Sequence, residues 1–189
     1  MSDDPTTLTA LATTYSSPMM DAFELTRLGE LALSSCRGNN IVALEIGAFI
    51  GQTTVFCLEV LKHSGLQPHW ICVDPFEFLE TADGQNPQGI SGQFIENVKR
   101  SGMAQFVSTI MSTSERAVAL TPPVLDLVII DGFHSYEVCR SDLYNYAPRL
   151  TGGGLFIDDY GPAYPGVMQA IDEFLAAHPD FMVIEKNGL

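Results

Sequence analysis

The stretch "VLDLVIIDGFHSYEVCRSDLYNYAPRLTGGGLFIDDY", residues 124–160, decides the fold. An apolar, β-branched run stops at Asp131, a helix reads from Ser135 onward, and a second apolar run stops at the pair Asp158 and Asp159. Short bounded runs of this kind suit strands buried on both faces. A strand, a helix and a further strand in succession predict a parallel pair joined by a right-handed crossover.

The alternation extends outward in both directions. Upstream, "IVALEIG", "HWICVDPF" and "AQFVSTIM" read as strands, separated by the helices "GQTTVFCLEVLKHSG", closed by Gly65, and "SGQFIENVKRSG". "SERAVALT" is a short helix before the strand of residues 124–131. Downstream, "PGVMQAIDEFLAAH" sets Val167, Ile171 and Phe174 on one helical face, and "FMVIEK" reads as a last strand. The pattern predicts an α/β fold: a Rossmann-like, doubly wound, mostly parallel sheet with helices on both faces. Within residues 18–40, "DAFELTRLGELALSSC" has the spacing of an amphipathic helix, whereas residues 1–17, rich in Thr, Ser and Asp, are expected to lie loose. Glu77 to Ser91 is longer than an ordinary connection, and both a flap near the ligand cleft and a plain surface loop fit it. No repeat or linker divides the 189 residues, so residues 1–189 read as a single domain.

Composition excludes several partners. With 23 acidic against 9 basic residues, the formal charge of −14 repels a phosphate backbone, so nucleic acid is not an expected partner. No apolar run reaches a membrane span and the first residues lack a signal-peptide pattern, which predicts a cytoplasmic protein with no membrane partner. The cysteines Cys36, Cys57, Cys72 and Cys139 show no CxxC spacing and sit mostly in apolar segments, as small buried hydrophobes do.

In open parallel sheets the ligand lies beyond the carboxyl ends of the strands, near the point where strand order reverses. The first such end, "LEIGAFIGQTT", reads ExGxxxG, with Phe49 where a dinucleotide fingerprint has its middle glycine. The second, "CVDPF", closes on Asp74, which can accept hydrogen bonds from both hydroxyls of a ribose or simply start the turn before Pro75. Asp131, Asp158 and Asp159 carry the strongest signal. Adjacent strand residues face opposite ways, so Asp158 and Asp159 reach one site only if the strand ends there. Neighbouring strand ends lie about 5 Å apart, and three carboxylates so close need a shared proton or a cation, for which Mg²⁺ is the economical choice. His134, three residues past Asp131 and beside the N-cap candidate Ser135, is placed to take a proton from a hydroxyl.

Together, "LEIGAFIGQTT", "CVDPF", the 125–161 stretch and "PGVMQAIDEF" resemble the class I S-adenosylmethionine-dependent methyltransferases. The closer likeness is to the IDGxHxY-type subgroup that includes metal-dependent macrolide-sugar O-methyltransferases, from about Ile41 to Phe174. The resemblance implies that Glu45, Gly47 and Gly51 line the methionine end of the cofactor. Ala48, Phe49 and Thr53 belong to the same turn, Asp74 would hold the ribose, Thr113 and Ser114 would lie near the adenine, and Asp131 would reach the cofactor as well. It also implies Asp131, Asp158 and Asp159 as metal ligands and His134 as the base, with Asp131 beside it as the second catalytic residue. Phe133 stands where other members often carry a polar residue, which excludes a base at that position.

The sheets of that class end in an antiparallel hairpin of two strands, and this sequence offers one strand, so an exposed edge, completion by a partner such as a second copy, or a last strand missing from this sequence is expected. The implied activity is metal-assisted methylation of a small hydroxylated acceptor. A nicotinamide-dependent oxidoreductase and a non-catalytic nucleoside-binding module are the rival readings.

Overall fold

The computed structural model describes residues 5–77 and 89–186. Five strands form one sheet: β1 (Asn40–Ile46), β2 (Gln67–Val73), β3 (Val107–Ile110), β4 (Leu125–Ile130) and β5 (Leu150–Ile157). Their order is β3-β2-β1-β4-β5, and every pair is parallel. The helices are α1 (Pro5–Tyr15), α2 (Ala22–Ser34), α3 (Gln52–His63), α4 (Ile90–Arg100), α5 (Ser114–Ala117), α6 (Tyr136–Tyr146) and α7 (Pro165–Ala177). The chain runs outward from β1 to β3, returns, and continues on the other side as β4 and β5. Strand order therefore reverses between β1 and β4.

Alternate strand residues feed two cores. Ile41, Ala43, Trp70, Leu127 and Ile129 pack with Leu25, Leu28, Phe56 and Phe94 from α2, α3 and α4. Leu44, Ile71, Val128 and Ile130 pack on the other face with Leu143, Val167, Ile171 and Phe174 from α6 and α7. Each fully buried Leu, Ile or Phe contributes about 1.5–3 kcal/mol relative to exposure, so the cores rather than any polar contact hold the layers together. The doubly wound architecture and the free, mostly buried cysteines agree with the sequence reading.

Three expectations need correction. Residues 5–15, expected to lie loose, form α1: Leu8, Leu11, Ala12 and Tyr15 make a helical stripe packed on the first core. Their threonines hid it, yet Thr13 and Thr14 donate back to the carbonyls of Thr9 and Ala10 and so satisfy their hydroxyls inside the helix. The helix placed within residues 18–40 is confined to Ala22–Ser34, because Asp21 and Glu24 form a capping box at its start. "FMVIEK" makes no strand, leaving Met182, Val183 and Ile184 exposed. Ion pairs from Glu185 to Arg27 and from Lys186 to Asp172 hold the segment instead. Strand propensity without a ladder and a buried face does not make a strand. Apart from Glu77 and residues 89–91, the stretch read as a flap or loop lies outside the described residues.

Candidate active site

The parallel ladder continues one residue past the strands and sets the level of the site. Asp74 N donates to Ile110 O, Gly47 N to Val73 O, Asp131 N to Ile46 O and Asp158 N to Ile130 O, at 2.9–3.2 Å. Four of the residues singled out from sequence thus stand in a row across the sheet, centred on the β1/β4 switch point.

Gly47 makes the closest approach in the row. Its φ of +86° is left-handed, and a Cβ there would meet the carbonyl oxygen of Asp131 at 1.8 Å. Only glycine lets the β1 turn nest against the β4 end. Asp74 holds the same turn from the other side: its Oδ2 accepts from Phe49 N at 2.8 Å and its Oδ1 from Phe76 N at 2.6 Å. Phe49 and Phe76 both adopt positive φ, which those hydrogen bonds help to sustain. Glu45 is 1 % exposed, and its Oε2 accepts from Thr54 Oγ1 at 2.6 Å and Trp70 Nε1 at 2.7 Å. Burial pushes its carboxyl up to about 7 against those hydrogen bonds. Ala48 is buried beneath the turn, while Thr53 is half-buried with its hydroxyl directed at Met20 Sδ.

The acidic group follows from the strand ends. β5 stops at Ile157, so Asp158 and Asp159 both leave the sheet, and Asp159 turns with φ +60° toward the β4 loop. His134 Nε2 lies 2.6 Å from Asp159 Oδ2, and its ring meets that of Tyr164 at a 47° tilt with centroids 4.4 Å apart. Ligand atoms of Asp131, His134 and Asp159 all fall within 4.8 Å of one another. Asp158 is not in that set and instead shares a hydrogen bond with Asp131. Burial and then the Asp158 charge hold the Asp131 carboxyl well above its usual range. Burial and then Asp159 push Asp158 up to about 6, and Glu24 at the start of α2 adds to the repulsion. A crowded carboxylate group with an imidazole alongside has the donor chemistry of a divalent-cation site.

Thr113 and Ser114 follow β3 at the far edge of the sheet. Thr113 occupies the N-cap position of α5 without a side-chain capping hydrogen bond, and the carbonyl of Ser114 accepts from Tyr146 Oη at 2.5 Å. Ser135 caps α6 through Val138 N, so the His134 loop is fixed on both sides. Tyr164 and Glu24 were missed from sequence. The Asp21-x-x-Glu24 capping pattern was legible, but its approach to Asp158 was not.

The fold and the row of strand-end residues define a class I methyltransferase-type α/β domain. Residues 44–160 match the family described as "Methyltransferase domain", and the chain belongs to it. Comparison with curated proteins finds no match. Among solved structures, the O-methyltransferase NovP is similar, with 19% identity, a TM-score of 0.59, and 81% of this chain and 69% of NovP covered. CalS11, a TDP-rhamnose 3′-O-methyltransferase of calicheamicin biosynthesis, also matches (19% identity, TM-score 0.58, 93% and 88% covered). TomG from Streptomyces achromogenes, solved with S-adenosylmethionine, matches at 13% identity and TM-score 0.58, with 96% and 80% covered. At these identities the likeness establishes the fold. Family membership sets the nicotinamide reading aside.

Proposed function

We propose that the protein is an S-adenosylmethionine-dependent O-methyltransferase assisted by a divalent ion, Mg²⁺ by donor chemistry, and acting on a small hydroxylated acceptor. The observation that carries it is the convergence of Asp131, His134 and Asp159 within 4.8 Å at the switch point of a methyltransferase-family sheet. S-adenosylmethionine, when bound, supplies a methyl group on a sulfonium, and the ion supplies charge that favours ionisation of the acceptor hydroxyl.

The chain's own residues supply the rest. Gly47 and Gly51, both at left-handed φ, let the β1 turn pack against the Asp131 backbone and Phe94, and that turn would carry the methionine end of the cofactor. Asp74 keeps lone pairs for ribose hydroxyls, because an ionised carboxylate offers about four acceptor positions and two are used by amides. Thr113 and Ser114, at the β3 end, suit the adenine side. Asp131 and Asp159 would hold the ion, with Asp158 one hydrogen bond from Asp131 as the third carboxylate. His134, whose Nε2 lies 2.6 Å from Asp159 Oδ2, would be the base that takes the acceptor proton.

Isothermal titration should show S-adenosylmethionine or S-adenosylhomocysteine binding at about micromolar Kd. Methyl transfer should stop in chelator and return with Mg²⁺. Absence of binding to either ligand refutes the methyltransferase reading, and full activity in chelator removes the ion from it.

A further inference from the structure

The buried residues of α6 are Cys139, Leu143, Tyr146 and one carboxylate, Asp142. Asp142 is 1 % exposed, yet neither of its oxygens accepts a hydrogen bond from a described residue. An ionised carboxylate has about four acceptor positions, and buried polar groups are nearly always paired. The other buried carboxylates among the described residues follow that rule. Glu45 accepts from Thr54 and Trp70, Asp74 from the amides of Phe49 and Phe76, and Asp126 from the amide of Val42 and from Arg37. Asp142 alone waits for a donor, and it sits beside the site rather than at the opposite end of the sheet: a Cβ built on Gly132, the residue after Asp131, would lie 3.8 Å from its Oδ2.

The neighbour able to supply that donor is Ser114. One turn along α6 from Asp142, Tyr146 Oη donates to the Ser114 carbonyl at 2.5 Å and so pins the backbone of Ser114 against the helix. The Ser114 side chain is close enough to draw the Asp142 pKa down, against the larger effect of burial, but it is not aligned as a hydrogen bond. Ser114 is half-buried whereas Asp142 is closed off, so Ser114 is the member of the pair that a ligand can touch. On the methyltransferase reading above, the methionine end of the cofactor lies at the β1 turn and the ribose at Asp74, after β2. The base, on the far side of the ribose, then falls beyond the end of β3, one strand spacing of about 4.8 Å further out, where the chain passes through Thr113 and Ser114. Resting on that reading, we infer that Ser114 and Asp142 read the 6-amino group of adenine: in the complex Ser114 Oγ donates its proton to Asp142 and turns a lone pair to the amino group. Ser114 is the contact and Asp142 the positioning residue, which commits the hydroxyl proton and leaves only an acceptor facing the base. A 6-oxo purine would set an acceptor against that acceptor, and a site built to pair a donor rejects an analogue lacking it far more strongly than an apolar pocket does.

The test compares S-adenosylhomocysteine with S-inosylhomocysteine, which carries a 6-oxo group in place of the 6-amino group and a proton on N1. Both are titrated calorimetrically at pH 8, where Asp142, raised to about 6, is ionised. The unmodified protein should bind the adenosyl compound at least about tenfold more tightly. Ser114→Ala should bring the two affinities within about threefold, while Ser114→Thr, which keeps the hydroxyl, should retain most of the preference. Asp142→Asn should lower the ratio about threefold or more and improve binding of the inosyl compound, because an amide can donate to Ser114 Oγ and free the hydroxyl proton for a 6-oxo group. A carboxyl that merely fills space or holds a water would instead weaken both ligands in parallel. Equal binding of the two compounds by the unmodified protein overturns the inference, as does a preference that survives Ser114→Ala, and the Ser114 variants decide this even if Asp142→Asn does not fold. A protein that binds neither compound refutes the methyltransferase reading and this inference with it, whereas binding without discrimination refutes this inference alone.

Discussion

Replacing Gly47 by alanine tests the packing on which the site depends. The added Cβ would lie 1.8 Å from the Asp131 carbonyl oxygen, 2.5 Å from its carbonyl carbon and 3.0 Å from Gly132 Cα, all of them backbone atoms that cannot rotate away. Raising the first contact to even 3.0 Å requires the β1 turn and the β4 end to part by about 1.2 Å. The left-handed φ of +86° adds about 1 kcal/mol for an L side chain, and the overpacking about 1–3 kcal/mol. The total, about 2–4 kcal/mol, should lower Tm by roughly 5–15 °C in a domain of this size. Gly38→Ala is the control: φ is +66° but nothing lies within 4 Å, so only the backbone cost of about 1 kcal/mol applies. Thermal melts of both variants separate clash from conformation. Titration of S-adenosylhomocysteine and Mg²⁺ then asks whether a ~1 Å displacement of Asp131 costs roughly tenfold or more in affinity, the scale on which misplacement acts. Equal melting losses in the two variants, or intact ligand binding by Gly47→Ala, would refute the reasoning.

Other consequences are equally direct. Asp158→Asn removes one carboxylate from the crowded group, so turnover should fall at least about a hundredfold while S-adenosylhomocysteine Kd stays within about threefold; the reverse pattern, measured by titration and product assay, would place Asp158 at the cofactor. Glu45, raised to about 7, and Asp142, raised to about 6 mainly by burial, hold protons in the folded chain that they release near pH 4 when unfolded. The folded state then binds more protons than the unfolded one between about pH 4 and 7, so stability of the ion-free protein should fall as pH rises through that window. Asp142→Asn should accordingly stabilise by roughly 2–3 kcal/mol at pH 8, about half as much at pH 5 and by almost nothing near pH 3, as read from denaturant midpoints at the three pH values. Ala12, fully buried on α1, should not tolerate a charge: Ala12→Asp is expected to cost about 2–4 kcal/mol in the same measurement, and a neutral outcome would mean that α1 does not pack on the core in solution.

Much of the candidate site was legible before any coordinates. Asp131, Asp158 and Asp159 each follow an apolar run, and the rule that ligands gather beyond strand ends at a reversal of order brings them together. The partners of Glu45 were not legible: the side-chain parity of β1 sends it toward Thr54 and Trp70, residues nine and twenty-five positions further along the chain. His134 was assigned a proton-transfer role on position alone, and its 2.6 Å contact with Asp159 depends on a left-handed residue that no spacing rule reveals.

Local periodicity was sufficient to locate the five strands of the sheet and most of the helices, because a strand buried on both faces and a helix with one apolar stripe each leave a pattern within a dozen residues. Tertiary structure decided what local pattern does not encode: that β4 lies beside β1, that residues 5–15 find a core to coil against, and that "FMVIEK" finds no ladder. Those outcomes depend on contacts between residues far apart in the chain, where burial of a whole face outweighs the intrinsic preference of any one segment.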